Sequence, residues 1–236
     1  MANAAAILFA YDPAIAERFP TIRAGVVSAS GLSNRPSPEE LVDQYRAEQA
    51  EALERLAATP ISETPSVSAW RRAFSAFGVK PTQYRSAIEA LLRRLDKSGD
   101  IPSINTLVDI GNLISIRYAV PVAVLDQSSL TGTVTVGFAT GTERFIDLGS
   151  GEEQHPEPGE VIFVDEADHV CARRWCWRQS APSATGAETT AALFTIEALH
   201  QNAAHDVASA TDDLVSLLGT HQPRSQISAH QLPNQL

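Results

Sequence analysis

Cysteine is scarce in this sequence, which has only Cys171 and Cys176 among its 236 residues. Five positions apart on a predicted strand, the two side chains point to opposite faces and are poorly placed to form a disulfide. Histidine and cysteine nowhere recur with the spacing of a metal site such as CxxC or HExxH. We therefore expect two free, reduced thiols and no bound metal.

Long apolar runs are also missing, because no stretch approaches the ~18 residues that a membrane-spanning helix needs. The beginning, MANAAAILFAYDPAIAERF, has no basic segment of the kind that opens a signal peptide. A Walker loop, a GxSxG motif and a correctly spaced dinucleotide-binding glycine loop are absent as well. The sequence thus predicts a cytoplasmic protein without a membrane segment or a cofactor.

Basic residues are outnumbered, with 18 against 28 acids and a formal net charge of −10. A nucleic-acid-binding protein is normally basic, so the total charge argues against a general one. The distribution is uneven, since ten of the 18 basic residues lie in the stretches 70–99 and 171–179. If the two stretches meet, they form a positive patch for a phosphate or carboxylate. The alternative is that these arginines are solvated or paired with nearby acids.

Hydrophobic periodicity predicts strands and helices in separate groups along the chain. The predicted elements are strands within 5–12 and 24–31, helices over 37–58, 80–99 and 101–121, strands between 120 and 179, and one or two helices over 189–219. Ser37 and Thr82 are the expected caps of the first two helices. We expect a loop over 59–67, one domain over 1–220 and a flexible polar tail over 221–236. Segregated elements favour an α+β fold.

The predicted helix over 101–121 is nearly all apolar but carries one polar stripe. The spacings of four, three and three residues place its members on one helical face: Asn105, Asp109, Asn112 and Ser115. Buried polar groups must be hydrogen-bonded. The stripe therefore either ties neighbouring loops together, which is the commoner role, or lines a pocket.

The most unusual string is CARRWCWRQ, residues 171–179, which has three arginines, two tryptophans and no acid. A strand would alternate its side chains, with one face carrying Arg173, Trp175 and Trp177 and the other Arg174, Cys176 and Arg178. Indole rings are commonly packed in protein cores, so at least one tryptophan is expected to be structural. The preceding GEVIFVDE is expected to pair with this string as an antiparallel hairpin.

Three stretches carry a family resemblance: SAIEALLRRL, IPSINTLVDIGNLISIRYAVPVAVLD and GEVIFVDEADHVCARRWCWRQ. They resemble the B3/B4 domain of the bacterial phenylalanyl-tRNA synthetase β subunit, and more closely its free-standing relatives. The most specific part is 102–126, where the matching positions are Val108, Asp109, Asn112, Pro121 and Asp126. The RRWxWRQ pattern is typical of the free-standing group, and the resemblance is best over 65–220.

The resemblance implies a B3/B4-like α+β fold with layered mixed β-sheets flanked by helices. In the synthetase this domain hosts the editing site, which hydrolyses tyrosine wrongly esterified to phenylalanine tRNA. Ala123 stands where the synthetase domain has a histidine, and RRWCWRQ stands where it has a glycine-rich loop. Glu197 lies near the position of a glutamate in the synthetase pocket.

Two functions are compatible with these observations. The first is binding of the 3′ end of a tRNA or aminoacyl-tRNA, with hydrolysis of mischarged aminoacyl-tRNA in trans by an oriented water and a stabilised oxyanion. The candidate catalytic residues, which would orient the water or the amino group, are Asp109, Asn112 and Glu197. The candidates for holding phosphate, ribose or the terminal adenine are Arg85, Arg173, Arg174, Trp175, Trp177 and Arg178.

The second function is a non-catalytic module that binds RNA, an amino acid or a related small metabolite. Ala123 in place of a histidine and the absent glycine-rich loop favour it. A purely structural protein would explain the acidic surface but not the clustered arginines. A complete aminoacyl-tRNA synthetase is excluded, because nothing resembles an ATP-binding aminoacylation core.

Overall fold

The computed structural model describes residues 9–233, which form six α-helices and eleven β-strands. The helices are α1 (Pro13–Arg18), α2 (Glu39–Ala58), α3 (Pro65–Ala76), α4 (Ala87–Ser98), α5 (Thr106–Tyr118) and α6 (Ala203–His221). The strands are β1 (Phe9–Tyr11), β2 (Arg23–Ser30), β3 (Val122–Asp126), β4 (Val134–Phe138), β5 (Phe145–Ile146), β6 (Glu153–Gln154), β7 (Val161–Val164), β8 (Val170–Arg173), β9 (Arg178–Gln179), β10 (Ala191–Ala198) and β11 (Gln226–Leu232). The predicted α+β fold is confirmed.

An antiparallel four-stranded sheet forms the middle layer, with the strand order β11-β2-β10-β3. Its strand β10 pairs on one side with β2 and on the other with β3, so it has no free edge over the paired residues. The register places Thr195 opposite Ala123, and Glu197 opposite Ala24. These pairings position the carboxylate that is central to the candidate site.

A five-stranded mixed sheet, with the order β1-β4-β7-β8-β9, packs against the middle layer. Strands β1 and β4 run parallel, whereas β4, β7, β8 and β9 pair antiparallel. The β7–β8 pair confirms the predicted hairpin. Strand β1 begins at Phe9, and residues 5–8 of the predicted first strand lie outside the described residues.

Two hydrophobic cores lie on the two faces of the middle sheet because successive side chains of β10 alternate. Phe194 and Ile196 pack against residues of α2, α4, α5 and α6 in one core. Leu193 packs in the other core with the five-stranded sheet and with Trp70 and Phe74 of α3. The layers are therefore helices, a four-stranded sheet and a five-stranded sheet, as the family resemblance implied.

The prediction of helix over 189–219 is wrong for its first part. Residues 191–198 form the strand β10, and the helix α6 begins only at Ala203. Strand β10 is covered on both faces, so its sequence AALFTIEA is a nearly continuous apolar run. Such a run does not distinguish a fully buried strand from a buried helix by periodicity alone.

The polar segment after residue 220 is not without structure, contrary to expectation. Residues 226–232 form β11, which pairs antiparallel with β2 along its whole length. This edge strand is held by backbone hydrogen bonds, and most of its side chains are exposed. An exposed edge needs no apolar pattern, which is why composition alone predicted a flexible tail.

Three helix starts differ from their predicted positions. Helix α2 begins at Glu39 after Pro38, and Ser37 donates to Asp109 instead of capping the helix. Helix α4 begins at Ala87 with Ser86 as its cap, not at Thr82. Helix α3 begins at Pro65, inside the stretch that was predicted to be a loop. The predicted starts were misplaced because more than one serine, threonine or proline near each start satisfies the residue preferences of a helix N-terminus.

Candidate functional site

The string 171–179 is a tight turn between two strands and not one strand. Strand β8 ends at Arg173, β9 begins at Arg178, and the two pair antiparallel. Arg174 and Trp175 adopt left-handed backbone conformations, with φ of 45° and 61°. The prediction of two alternating faces is therefore wrong, because the chain reverses direction inside the string.

Two backbone contacts hold this unfavourable conformation in place. The Arg174 N–H donates to a Glu160 carboxylate oxygen at 3.0 Å. The Trp175 N–H donates to the Val161 carbonyl oxygen at 2.6 Å. A left-handed residue other than glycine costs roughly 1–2 kcal/mol, so the surrounding structure must enforce the turn. The turn thereby directs Trp175 into the core.

Trp175 is an anchor of the second core and is fully buried. Its ring packs edge-to-face against Phe19 at 5.0 Å and against Trp70 at 5.1 Å between ring centroids. Such aromatic pairs contribute ~0.5–1.5 kcal/mol beyond their buried area. The expectation that at least one tryptophan is structural therefore applies to Trp175, which has no exposed face for stacking on a base.

Glu197 is a buried carboxylate on β10 with two donors from distant parts of the chain. The Trp175 indole N–H donates to its Oε1 at 2.9 Å, and the Tyr11 hydroxyl donates to the same oxygen at 2.5 Å. Burial raises the pKa of Glu197 to about 7, although both hydrogen bonds oppose this shift. A carboxyl group with this pKa changes its charge near neutral pH.

A small cavity of about 70 Å³ lies beside this carboxylate. We call it the Glu197 cavity, and its polar or reactive lining residues are Cys176, Trp177, Arg178, Gln179 and Glu197. Ala123 of β3 lines the same cavity, so this position contributes a methyl group and no imidazole to its wall. Burial raises the pKa of the Cys176 thiol, which keeps it protonated and unreactive.

Arg178 and Trp177 bring charge and an aromatic face to the Glu197 cavity. The Arg178 Nε lies 2.6 Å from Asp147 Oδ2, and the side chain of Arg178 is 41% exposed. Trp177 is half-buried and packs edge-to-face against Tyr84 at 4.9 Å. Of the predicted binding residues, these two and Trp175 therefore line one cavity together with Glu197.

Arg173 and Arg174 are held by Glu160. The Arg173 guanidinium donates from Nε and Nη2 to the two carboxylate oxygens of Glu160, at 2.9 Å and 2.8 Å, and is buried. Arg174 lies farther from Glu160, at 3.6 Å, with its guanidinium 3.9 Å from the Tyr84 ring centroid and 4.7 Å from that of Trp177. Neither arginine lines the Glu197 cavity.

The two basic stretches do meet in space. Tyr84 contacts Arg174 and Trp177, and the Ala87 N–H donates to the Cys176 carbonyl oxygen at 2.7 Å. Part of the cluster is neutralised, because the buried Glu89 carboxylate has three arginines within 4.0 Å: Arg71, Arg85 and Arg93. Arg85 is the most exposed of the three, at 46%, and lies 4.0 Å from Glu89. The two stretches thus form one basic cluster, as the first alternative predicted, and several of its arginines are paired with acids, as the second predicted.

The structure does not bring Asp109 and Asn112 to Glu197. Both lie on α5, which packs in the first core, whereas Glu197 faces the second core across the middle sheet. Asp109 is fully buried and accepts hydrogen bonds from the hydroxyls of Ser37 and Ser103 and from the Ile104 N–H. This closed network joins the loops before α2 and α5, as the structural interpretation of the polar stripe predicts.

Sequence reasoning missed Tyr11, which is 186 residues away from Glu197 along the chain. It also missed Gln179, whose side-chain amide donates to the carbonyl oxygens of Val124 and Ser183 and fixes the cavity wall. Gln179 ends the RRWxWRQ pattern, which gave no indication of its contacts, and no local pattern marks Tyr11. Their roles depend on strand pairing between segments that are remote in sequence.

Two absences concern the described residues only. None of the helices in 9–233 is long and apolar enough to cross a membrane. Within the same range, no three side chains of His, Cys, Asp or Glu are grouped so that they could hold a metal ion.

The fold and the buried carboxylate define an α+β domain with a small, largely apolar cavity between two sheets. Residues 69–214 match the B3/4 domain family, and the chain belongs to that family. Among solved structures it is similar to an N-terminal fragment of the phenylalanyl-tRNA synthetase β subunit from Pyrococcus horikoshii, with 12% identity and a TM-score of 0.48. The similarity covers 97% of this chain but 55% of that fragment, so the chain spans about half its length. No curated protein matches the chain.

Proposed function

We propose that the chain binds the aminoacyl end of a tRNA and that the aminoacyl group enters the Glu197 cavity. The observation that carries the proposal is the pattern of hydrogen bonds at the buried carboxylate, since both protein donors reach Oε1. No hydrogen bond from residues 9–233 reaches Oε2, so this oxygen is available to the α-ammonium group of an amino acid. A buried carboxylate is stabilised by such a cation.

The residues around the opening suit the end of a nucleic acid strand. Trp177 offers a half-buried ring on which the terminal adenine would stack, a contact that contributes ~1–3 kcal/mol per base. Arg178 lines the cavity and is partly exposed, while Arg85 lies in the basic segment that meets the turn. Membership of the B3/4 family and the resemblance to the synthetase editing domain support a tRNA ligand.

The size of the cavity limits the aminoacyl group. A volume of about 70 Å³ has room for only a few water-sized groups. We therefore expect the site to prefer an amino group with a short side chain, such as alanyl, over an aromatic one. Phe163, Trp175 and Pro121 form rigid apolar walls that cannot easily retreat.

Fluorescence anisotropy with labelled tRNA tests the proposal. The probes are deacylated tRNA, alanyl-tRNA and phenylalanyl-tRNA, each with an amide link at the 3′ end so that no hydrolysis occurs. We expect alanyl-tRNA to bind about tenfold more tightly than the other two, because one charge-assisted contact is gained. The affinity should fall with rising salt, as it does for phosphate contacts.

Three variants separate the contributions to binding. Glu197→Gln should remove the advantage of alanyl-tRNA and leave the affinity for deacylated tRNA unchanged. Arg178→Gln should weaken all three probes to a similar extent, since phosphate contacts do not depend on the amino acid. Arg46→Gln is the matched control, because Arg46 is 74% exposed on α2 and its one ion pair within residues 9–233 is with Asp43. Equal affinity of the wild-type protein for the three probes would contradict the proposal.

A second candidate function is hydrolysis of the aminoacyl ester, and the pKa of about 7 at Glu197 favours it. A carboxylate with this pKa is suited to accept a proton from an attacking water near neutral pH. Ala123 offers no further acid–base group on the opposite wall. Glu197 alone would therefore act as the base.

Deacylation of ester-linked aminoacyl-tRNAs tests the second candidate. If Glu197 is the base, the rate should rise with pH through about 7 and should be lost in Glu197→Gln. Binding of alanyl-tRNA without any deacylation across a panel of mischarged tRNAs would leave the chain as a non-catalytic module. Absence of tRNA binding would instead direct attention to a free amino acid or a related metabolite.

A further inference from the structure

A second cavity lies away from the Glu197 cavity, between β5, β8 and the segment that follows β9. It has a volume of about 270 Å³, and we call it the Arg144 cleft. Its floor includes the buried Val170 and Cys171, and Leu130, Ile146 and Pro182 add apolar walls. Three charged or titratable side chains line it and are exposed: Arg144, Glu153 and His169. It shares no lining residue with the Glu197 cavity.

Arg144 and His169 are fixed side by side by the backbone. The Arg144 N–H donates to the Asp168 carbonyl oxygen at 3.0 Å, and the Val170 N–H donates to the Arg144 carbonyl oxygen at 2.8 Å. Asp165 braces the loop, since its Oδ1 accepts the N–H groups of Ala167 and His169 at 3.0 Å and 2.9 Å. The positively charged side of the cleft therefore belongs to a well-ordered framework.

The Arg144 guanidinium has no carboxylate partner among residues 9–233. Its Nη2 lies 2.6 Å from Nε2 of His169, and a guanidinium can only donate, so His169 accepts through this nitrogen. The His169 proton then sits on Nδ1, which lies 3.7 Å from Asp165 Oδ2. Nε and Nη1 of Arg144 form no hydrogen bond with the described residues, and Nη2 carries a second N–H group, so a fork of two parallel donors that includes Nη2 is available to an anion.

The hydroxyl groups of the cleft are already used inside the protein. Ser129 donates to the Asp126 carbonyl oxygen at 2.8 Å. Ser180 and Ser183 share a hydrogen bond of 2.9 Å, and Ser183 also lies 3.1 Å from the Cys171 carbonyl oxygen. The Glu153 carboxylate, by contrast, has no ion pair or hydrogen bond with residues 9–233. One free cation and one free anion thus remain around an apolar floor.

We propose that the Arg144 cleft binds a free α-amino acid with an apolar side chain. Arg144 takes the α-carboxylate through paired N–H donors, as guanidinium groups do with carboxylates. Glu153 takes the α-ammonium group, and the side chain lies on Val170, Ile146 and Leu130. Ligand sites for drug-sized molecules usually exceed ~300 Å³, so a cleft of about 270 Å³ suits a single small metabolite.

Isothermal titration calorimetry on the full chain tests this site with L-leucine and two truncated analogues as probes. 4-Methylpentanoate lacks the amino group of leucine, and 3-methylbutylamine lacks its carboxylate. We expect leucine to bind about tenfold or more tightly than either analogue, because each analogue loses one charge-assisted contact. This comparison uses only wild-type protein and does not depend on the folding of a variant.

Two substitutions locate the binding. Arg144→Gln and Glu153→Gln should each weaken leucine binding about tenfold or more. Arg144→Gln should also abolish the preference for leucine over 3-methylbutylamine, and Glu153→Gln should abolish the preference for leucine over 4-methylpentanoate. Exposed residues on α2 provide the controls, Arg46→Gln and Glu51→Gln, which should bind leucine as the wild type does. Binding that is unchanged in Arg144→Gln, equal affinity for leucine and 4-methylpentanoate, or no binding of any of the twenty common amino acids would overturn the proposal.

Discussion

The indole N–H of Trp175 and the carboxylate of Glu197 meet at 2.9 Å and join the β8–β9 turn to the central strand β10. The strained backbone of the turn delivers the indole to the carboxylate between the two sheets. The contact also occupies Oε1 of Glu197, which leaves Oε2 as the oxygen that can accept a hydrogen bond from a ligand. The candidate site is thus a product of the packing of two sheets.

The pH dependence of stability should report the charge of Glu197. Its pKa is about 7 in the folded protein and close to 4.5 in the unfolded chain. The folded state therefore holds the proton more tightly, and the unfolding free energy falls as pH rises from about 4.5 to about 7. The unfolding free energy falls by up to about 3 kcal/mol, since a difference of one in pKa between the folded and unfolded states corresponds to about 1.36 kcal/mol.

Urea unfolding of the wild type and of Glu197→Gln across this pH range checks the prediction. The variant cannot ionise, so the difference between the two curves isolates this carboxyl group. Glu188→Gln, at an exposed position, is the control and should follow the wild type. If the unfolding free energies of the wild type and of Glu197→Gln changed with pH in parallel, ionisation of Glu197 would not destabilise the folded protein, and the prediction would be wrong.

Asp109→Ala should destabilise the protein by about 3 kcal/mol or more. Three donors, the hydroxyls of Ser37 and Ser103 and the Ile104 N–H, would lose their common acceptor in a buried place. Chemical denaturation measures the effect, with the exposed Asp100→Ala as a control of small effect. Because Asp109 lies across the middle sheet from Glu197, tRNA binding by the folded fraction should be unchanged.

Gly25→Ala should destabilise the fold by about 1–3 kcal/mol through overpacking. A Cβ atom at this position of β2 would lie 1.9 Å from Thr211 Oγ1 on α6. Thr211→Ala removes that oxygen, so the double variant should recover stability relative to Gly25→Ala. Gly219→Ala is the control, because no atom from the described part of the chain lies within 4 Å of an added Cβ there. Additive effects of the two substitutions would refute the steric explanation.

Glu160→Gln should cost about 3–5 kcal/mol, which is the range for breaking a buried ion pair. The amide would present N–H groups to the Arg173 Nη2, which now donates to Glu160 at 2.8 Å, and would leave the guanidinium partly unpaired. A lowered thermal midpoint with unchanged secondary structure would support this. Glu157→Gln, an exposed neighbour, should have little effect.

Local rules predicted several elements correctly. The polar stripe on α5 was expected either to tie neighbouring loops together or to line a pocket; Asn105 caps α5 by accepting the Val108 N–H, and Asp109 accepts the Ile104 N–H of the preceding loop. Gly99 ends α4 with a φ of 80°, a conformation that glycine adopts at little cost. The β7–β8 hairpin also followed from alternation and its turn residues. These features depend on residues that are close together in sequence.

Other features could not be derived locally. A strand buried on both faces has the composition of a helix, so β10 was assigned to the wrong class. The edge strand β11 pairs with β2 through backbone hydrogen bonds, which leave no pattern in the side chains of the sequence. The turn at Arg174 and Trp175 depends on Glu160 and Val161, which local alternation does not reveal.

The sequence by itself determined the α+β class, the resemblance to the B3/4 family, the end of α4 at Gly99 and the concentration of positive charge in two stretches, because each depends on a local pattern or motif. The tertiary structure decided which of those residues meet. It placed Asp109 on one side of the middle sheet and Glu197 on the other, and it brought Tyr11 to Glu197 across 186 positions. Side chains from remote segments come together only when the strands that carry them have paired and the sheets have packed.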